Sequence, residues 1–137
     1  MNTYPRFRSV LFLCVANSAR SQMAEGIARA LAPEGVTVYS AGSAPTQVRP
    51  EAIEVLREIG IEIDGQHSKS VDDVPYREVD LIVTLCAEEV CPVVPGDVAR
   101  EDWGLPDPAG VEDPGERLDA FRRVRDTLRE RIPELWR

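Results

Sequence analysis

A cysteine and an arginine stand five residues apart near the start of the chain, in the stretch CVANSARSQ that begins at Cys14. A thiolate is a strong nucleophile, and the guanidinium of Arg20 offers a planar fork of donors that fits a tetrahedral oxyanion. The spacing therefore predicts a loop whose amides converge on one bound oxyanion, with a nucleophile at its first residue. The small residues of that loop are Val15, Ala16, Asn17, Ser18 and Ala19, followed by Arg20 and Ser21.

This loop is predicted to lie where ligands bind in α/β proteins. Residues 9–15 form a run of β-formers that indicates a buried strand, and residues 21–31 have the spacing of a helix with Met23, Ile27 and Leu31 on one face. The turn between them places unpaired amides and the positive end of the helix dipole beside the thiol. Both features attract an oxyanion and favour the thiolate.

The spacing alone is not specific, because a cysteine five residues ahead of an arginine is common by chance. Cys14 could be a buried cysteine at a strand end, and Arg20 an ordinary surface arginine. The preceding strand, the following helix and the small residues between them favour the ligand-binding interpretation. Asn17 tolerates a left-handed backbone, and Ser18 and Ser21 can donate hydrogen bonds to a thiolate.

Strands and helices alternate along the rest of the chain. This order predicts a doubly wound α/β fold, with a mainly four-stranded parallel sheet flanked by helices and an active site beyond the carboxyl ends of the strands. Asp113, Pro114 and Glu116 form a capping box before the last helix. Further strands are predicted at 36–40, 80–85 and, more weakly, 98–102. A loop is predicted at 41–48, a second helix at 49–59 and a short helical stretch before Pro75. The residues of the last helix that are predicted to face inward are Leu118, Phe121, Val124, Leu128 and Ile132.

Composition limits the class of protein. The chain has 137 residues, of which 43% are hydrophobic, so we expect one catalytic domain over 1–137. A net charge of -8 argues against nucleic acid or an anionic membrane as a partner, and no apolar run predicts a membrane span or a signal peptide. We expect a cytoplasmic monomer. Its odd set of three cysteines, Cys14, Cys86 and Cys91, fits thiol chemistry better than a disulfide framework.

The segment CVANSARSQMAEG resembles the phosphate loop shared by low-molecular-weight protein tyrosine phosphatases and thioredoxin-coupled arsenate reductases. Thr84-Leu-Cys86, Cys91-Pro92 and the stretch EDWGLPDPAG at 101–110 resemble the reductase branch. The similarity runs from the first strand to the last helix. It implies that Cys14 is the nucleophile, that residues 15–21 bind the substrate, and that Asp107 is the general acid that protonates the leaving oxygen.

The resemblance also implies a relay of three cysteines. Cys14 attacks arsenate, for which phosphate is an analogue, Cys86 then attacks the sulfur of the adduct and releases arsenite, and Cys91 attacks Cys86. Thioredoxin is the expected reductant of the final pair, in a protein of arsenic resistance. Four residues separate Cys86 from Cys91, fewer than in the best-known reductases, so a helical segment between them would have to unwind before they could bond.

Two other functions remain open from the sequence. The same loop could hydrolyse phosphomonoesters, although aromatic residues that suit phosphotyrosine are absent after Asp107-Pro108. A non-catalytic thiol sensor is the second alternative. We expect no cofactor and no metal: some relatives bind potassium beside the loop, but the matching positions are Asn17, Ser40 and Ser70, where Ser70 replaces an acid. Lys69 either fills that space with its ammonium group or is a solvated surface lysine, and His67 is expected to be structural.

Overall fold

A computed structural model describes residues 6–87 and 93–137. Strands and helices alternate along both ranges, and 3-10 turns lie between or after some of them. The elements are β1 (Ser9–Cys14), α1 (Arg20–Leu31), β2 (Thr37–Gly42), α2 (Pro50–Arg57), β3 (Leu81–Cys86), β4 (Ala99–Leu105) and α3 (Pro114–Arg131), with 3-10 turns at Val71–Asp73, Pro108–Gly110 and Ile132–Trp136.

The strands form one parallel sheet in the order β2-β1-β3-β4. Leu13 of β1 pairs with Ala41 of β2 on one side and with Thr84 of β3 on the other. The predicted four-stranded parallel sheet flanked by helices is therefore confirmed. Because all the strands run the same way, the residues that follow β1, β3 and β4 meet at one edge of the sheet.

Alternate side chains of β1 serve two hydrophobic clusters. Val10 and Phe12 face the helices, whereas Leu11 and Leu13 face the opposite side of the sheet. The helical cluster includes Met23 and Ile27 of α1 and Phe121, Val124 and Leu128 of α3, and the second cluster is closed by Val71, Val74, Val79 and Val94. Burial of β1 on both faces explains why its sequence is a continuous apolar run.

Most predicted elements are present, with shifted ends. β2 continues through Ala41 and Gly42, which were expected to begin a loop, because both residues still pair with β1. β4 likewise extends to Leu105. Leu31 was expected to face inward, but it is 46% exposed because α1 ends at this residue, beyond the layer that packs on the sheet.

The predicted cap of the last helix is present. Asp113 accepts a hydrogen bond from the amide of Glu116 at 2.9 Å, and Pro114 is the first helical residue. Of the helices in the described ranges, none is long and apolar enough to cross a membrane.

Candidate active site

The anion loop, residues 15–19, connects β1 to α1 with its carbonyl groups bound from outside. Three of them accept backbone amides of a covering segment, residues 43–49, which follows β2. Asn17 O accepts from Ser68 Oγ at 2.6 Å and from Gln22 Nε2 at 3.1 Å. The three backbone pairs are Ala44 N to Val15 O at 2.9 Å, Thr46 N to Ala16 O at 3.1 Å and Arg49 N to Ser18 O at 2.9 Å.

The amides of the same loop have no such partners. From Val15 to Ala19, no backbone N–H donates to another group in the described parts of the chain. Ala19 is also the residue before α1, and its cap carries no side-chain hydrogen bond. Backbone amides without acceptors at a helix N-terminus bind anions. The loop can therefore receive an oxyanion.

Asn17 holds the loop in its tight shape. Its φ of 48° lies in the left-handed region, as the sequence predicted, and the residue is fully buried. Asn17 Nδ2 donates to Ser21 Oγ at 2.7 Å and to Ser40 Oγ at 3.0 Å. Its Oδ1 accepts from Gln22 Nε2 and from the amide of Lys69, both at 2.9 Å. With its carbonyl oxygen and both polar atoms of its side chain bound, the left-handed backbone of Asn17 is held in place.

Ser21, which Asn17 holds by a hydrogen bond, contacts the nucleophile. Cys14 Sγ lies 2.8 Å from Ser21 Oγ, and the thiol is 2% exposed. The Ser21 hydroxyl can accept from Asn17 and still donate its proton to an ionised sulfur. A hydroxyl that donates to sulfur stabilises the thiolate, the reactive form. Of the two serines expected to donate, Ser21 is the one that contacts Cys14 in the described structure.

A buried acid and a lysine stand behind Asn17. Ser40 Oγ donates to Glu25 Oε1 at 2.5 Å, and Glu25 is 3% exposed. Lys69 Nζ lies 3.3 Å from the same carboxylate oxygen and 3.5 Å from Ser40 Oγ, and it donates to His67 O at 2.8 Å. Lys69 is thus not a solvated surface lysine; its ammonium contacts the oxygens beside the anion loop. Ser70 instead caps the turn at Val71–Asp73.

Gly42 closes the other side of the loop. A Cβ atom at this position would overlap Val15 O and would lie 2.8 Å from Cys14 O and 2.9 Å from Asn17 N. All three are backbone atoms, which cannot rotate away as a side chain can. Any larger residue would therefore push the anion loop out of shape.

Gly42→Ala is expected to weaken phosphate binding by about 10²-fold and to lower the free energy of unfolding by about 1–3 kcal/mol, because it overpacks a rigid backbone contact. Calorimetric titration with phosphate and urea unfolding would measure the two effects. Gly65→Ala is the matched control, since a Cβ there has nothing within 4 Å. Equal results for the two variants would contradict the role given to Gly42.

Arg20 lies under the loop and is 4% exposed. Its Nη1 donates to Leu105 O at 2.9 Å and to Leu85 O at 3.4 Å, the carbonyls near the ends of β4 and β3. The guanidinium therefore joins the anion loop to the two strands that lead toward Asp107 and Cys86. Arg20 and the anion loop therefore lie together at the same edge of the sheet as the ends of β3 and β4.

The structure places the remaining predicted residues at the same edge of the sheet. Cys86 ends β3, is 7% exposed and is disulfide-bonded, whereas Cys14 is a free thiol. Asp107 follows β4 by two residues, and its Oδ1 accepts from Ala109 N at 3.0 Å. Cys91, and with it the predicted helical turn after Cys86, lies outside the described residues.

Sequence reasoning missed the residues that support the loop from a distance. Glu25, Gln22 and Gln66 are polar residues on or beside α1, and each has a partner 15 to 45 positions away in the chain. A run of polar positions inside an otherwise buried helix, here Ser21, Gln22 and Glu25, was the available signal. Within the described residues, no group of three or more His, Cys, Asp or Glu side chains could hold a metal ion.

Comparison with known protein families gives one match that spans most of the chain. The model of the low molecular weight phosphotyrosine protein phosphatase family matches residues 9–137. Among characterised relatives, arsenate reductase 2 of Staphylococcus saprophyticus is 42% identical over 131 residues, which cover 94% of this chain and 96% of that protein.

Solved structures agree with this match. An arsenate reductase in a phosphate-binding state superposes with a TM-score of 0.78 at 36% identity and covers 93% of this chain and 95% of its own. A thioredoxin-dependent arsenate reductase of Corynebacterium glutamicum has a TM-score of 0.70 at 32% identity, with 93% of this chain and 61% of that chain covered. The likeness thus extends through the sheet, the anion loop and the last helix.

Proposed function

Because the chain belongs to the low molecular weight phosphotyrosine protein phosphatase family, we propose that it is an arsenate reductase whose electrons come from thioredoxin. The observation that carries the proposal is an oxyanion cradle around a free Cys14, with a second cysteine, Cys86, at the end of the adjacent strand. Relatives of the reductase type cover nearly the whole chain, and one of them depends on thioredoxin.

The first step forms a bond between sulfur and arsenic. Arsenate binds with its oxygens on the amides of residues 15–19 and on Arg20. The Cys14 thiolate, which accepts the hydroxyl proton of Ser21 in a hydrogen bond, attacks arsenic. One arsenate oxygen leaves as water, and Asp107 supplies its proton. Arsenic is still pentavalent at this stage, so no electron has been transferred.

The second step transfers two electrons. The Cys86 thiolate attacks Cys14 Sγ, a disulfide forms, and the electron pair of the sulfur–arsenic bond goes to arsenic, which leaves as arsenite. Cys91 then attacks Cys86 and frees Cys14, and a dithiol of thioredoxin reduces the Cys86–Cys91 pair. A free Cys14 beside a disulfide-bonded Cys86 is the state expected at the end of this sequence, before thioredoxin reduces Cys86 again. A cytoplasmic location would supply such a reductant.

Phosphomonoester hydrolysis is the second candidate, as a weak side activity. The same cradle fits phosphate, which has the tetrahedral shape of arsenate, and the family model is named for phosphatases. In that reaction water resolves the thiophosphate, so Cys86 and Cys91 have no role.

One assay tests the proposal. Arsenite production is measured with thioredoxin, thioredoxin reductase and NADPH, and in parallel with glutaredoxin and glutathione or with a small thiol. We expect turnover with thioredoxin. Turnover with glutaredoxin or with the small thiol, but not with thioredoxin, would contradict thioredoxin as the reductant. Absence of arsenite with all three reductants would favour the phosphatase or the thiol sensor.

Potassium is expected to change the rate of arsenate reduction no more than sodium does at the same ionic strength. The Lys69 ammonium already contacts Glu25, Ser40 and His67 O beside the anion loop, and its positive charge would repel a second cation there. Steady-state rates with either chloride salt measure this. A saturable gain that potassium produces and sodium does not would contradict it.

A further inference from the structure

Glu51, in the first turn of α2, holds two arginines from different parts of the fold. Its Oε2 accepts from Arg49 Nη2 at 3.0 Å and from Arg117 Nε at 2.7 Å. The side chains of Glu51 and Arg117 are 16% and 23% exposed, so both groups are largely withdrawn from water. Ion pairs that are buried to this extent are costly to break from one side, because the remaining charge is left uncompensated.

One of the two arginines reaches the anion loop. The backbone amide of Arg49 donates to Ser18 O at 2.9 Å, as the last of the three bonds from the covering segment. Arg49 is also the residue before α2. Its side chain and its amide therefore connect Glu51 directly to the backbone of the oxyanion cradle.

The other arginine reaches the segment that carries Asp107. Arg117 Nη1 donates to Val111 O and to Glu112 O, both at 3.1 Å. These carbonyls lie in the acid segment, residues 106–113, which connects β4 to α3. The acid segment contains only a short 3-10 turn, held by two backbone bonds of 3.4 Å, and so has little internal support of its own.

We propose that Glu51 is a positioning residue that fixes the acid segment, and with it Asp107, relative to the anion loop. The inference rests on the proposed function, in which Asp107 protonates the oxygen that leaves arsenate. Glu51 touches neither the substrate nor Cys14; it acts through Arg49 on one side and Arg117 on the other. A displacement of about 1 Å is enough to impair such a proton transfer.

The charge of Glu51 suits this role. Burial by itself would raise the pKa of its carboxyl group, but the hydrogen bonds from Arg117 and Arg49 outweigh burial and hold the pKa below its usual value. The carboxylate is therefore ionised at neutral pH, where it binds both guanidinium groups. Glutamine at this position would keep the shape and lose the charge.

Glu58 provides a matched control. It follows the last residue of α2 and, like Glu51, binds two arginines, both of them from α3: Arg122 Nη2 at 2.7 Å and Arg125 Nη1 at 2.6 Å. Hydrogen bonds from Arg122 and Arg125 lower the pKa of Glu58 to about 2, against the effect of its desolvation. Neither arginine contacts the anion loop or the acid segment, so Glu58→Gln weakens the link between α2 and α3 without disturbing the site.

The experiment compares Glu51→Gln with Glu58→Gln, each alone and combined with Asp107→Asn. Glu51→Gln is expected to lower kcat for arsenate reduction about 10-fold with KM nearly unchanged, as for partial loss of general acid catalysis, and to cause no further loss in the Asp107→Asn background. Glu58→Gln should keep the wild-type kcat. Urea unfolding shows whether the two variants lose comparable stability.

Hydrogen exchange provides a readout that needs no activity. The amides of Ala109, Gly110 and Val111 are expected to exchange faster in Glu51→Gln than in Glu58→Gln or the wild type. Equal exchange in both variants, or additive losses of kcat with Asp107→Asn, would overturn the inference. A wild-type protein that reduces no arsenate would instead refute the proposed function, while the exchange data would still decide whether Glu51 holds the acid segment.

Discussion

Cys14→Ser is expected to abolish arsenate reduction and any phosphatase activity, with a loss of at least about 10³-fold in kcat. A serine hydroxyl is barely ionised near neutral pH, and the hydrogen bond from Ser21 cannot make it an effective nucleophile. Arsenite production coupled to NADPH oxidation measures the first activity, and release of phosphate from an aryl ester measures the second.

The same variant should still bind phosphate, which separates chemistry from binding. The carbonyls of the anion loop stay bound to the covering segment, so the amides remain directed at the ligand. Calorimetric titration of Cys14→Ser with phosphate is the control. Retained reduction in this variant would remove Cys14 as the nucleophile, and lost binding would show that the sulfur organises the loop.

Cys86→Ser is expected to end the reduction of arsenate, with no arsenite released even in a first turnover, while it spares hydrolysis of an aryl phosphate. Water can resolve a thiophosphate, but it cannot provide the two electrons that arsenic requires. Cys86 is buried at the end of β3, and serine is close to it in size, so the fold should tolerate the change. Parallel assays of arsenite and phosphate release measure this division.

Cys91→Ser is the informative companion. The proposed relay predicts one arsenite per molecule for this variant, followed by arrest as a Cys14–Cys86 disulfide, which mass spectrometry of peptides would identify. Equal loss of arsenate reduction and ester hydrolysis in Cys86→Ser would instead mean that Cys86 supports the structure of the site.

Local signals explain what could be predicted from the sequence. The loop between Cys14 and Arg20, the left-handed Asn17 and the cap at Asp113 each depend on residues close together in the chain. The alternation of strands and helices, which is also read from neighbouring residues, predicted the parallel sheet. The predicted end of β2 was wrong because pairing with β1 continues through Gly42. The prediction for Leu31 was wrong because this residue lies at the edge of the packed layer and is exposed.

The supporting parts of the site depend on contacts between distant residues. Glu25 meets Lys69 across 44 positions, and Glu51 meets Arg117 across 66. No spacing in the sequence indicates such pairs, because most charged residues on helices face solvent and have no distant partner. The roles of Cys14, Arg20, Asp107, Cys86 and Cys91 in the reaction remain predictions.

The amide cradle also has a consequence for the release of product. Arsenate arrives as an anion with tetrahedral oxygens, which suits unpaired N–H groups and the positive end of α1. Arsenous acid is pyramidal and uncharged at neutral pH, so the same donors hold it weakly. Reduction thus removes the charge by which the ligand was captured, and the two-electron step that makes arsenite also favours its release.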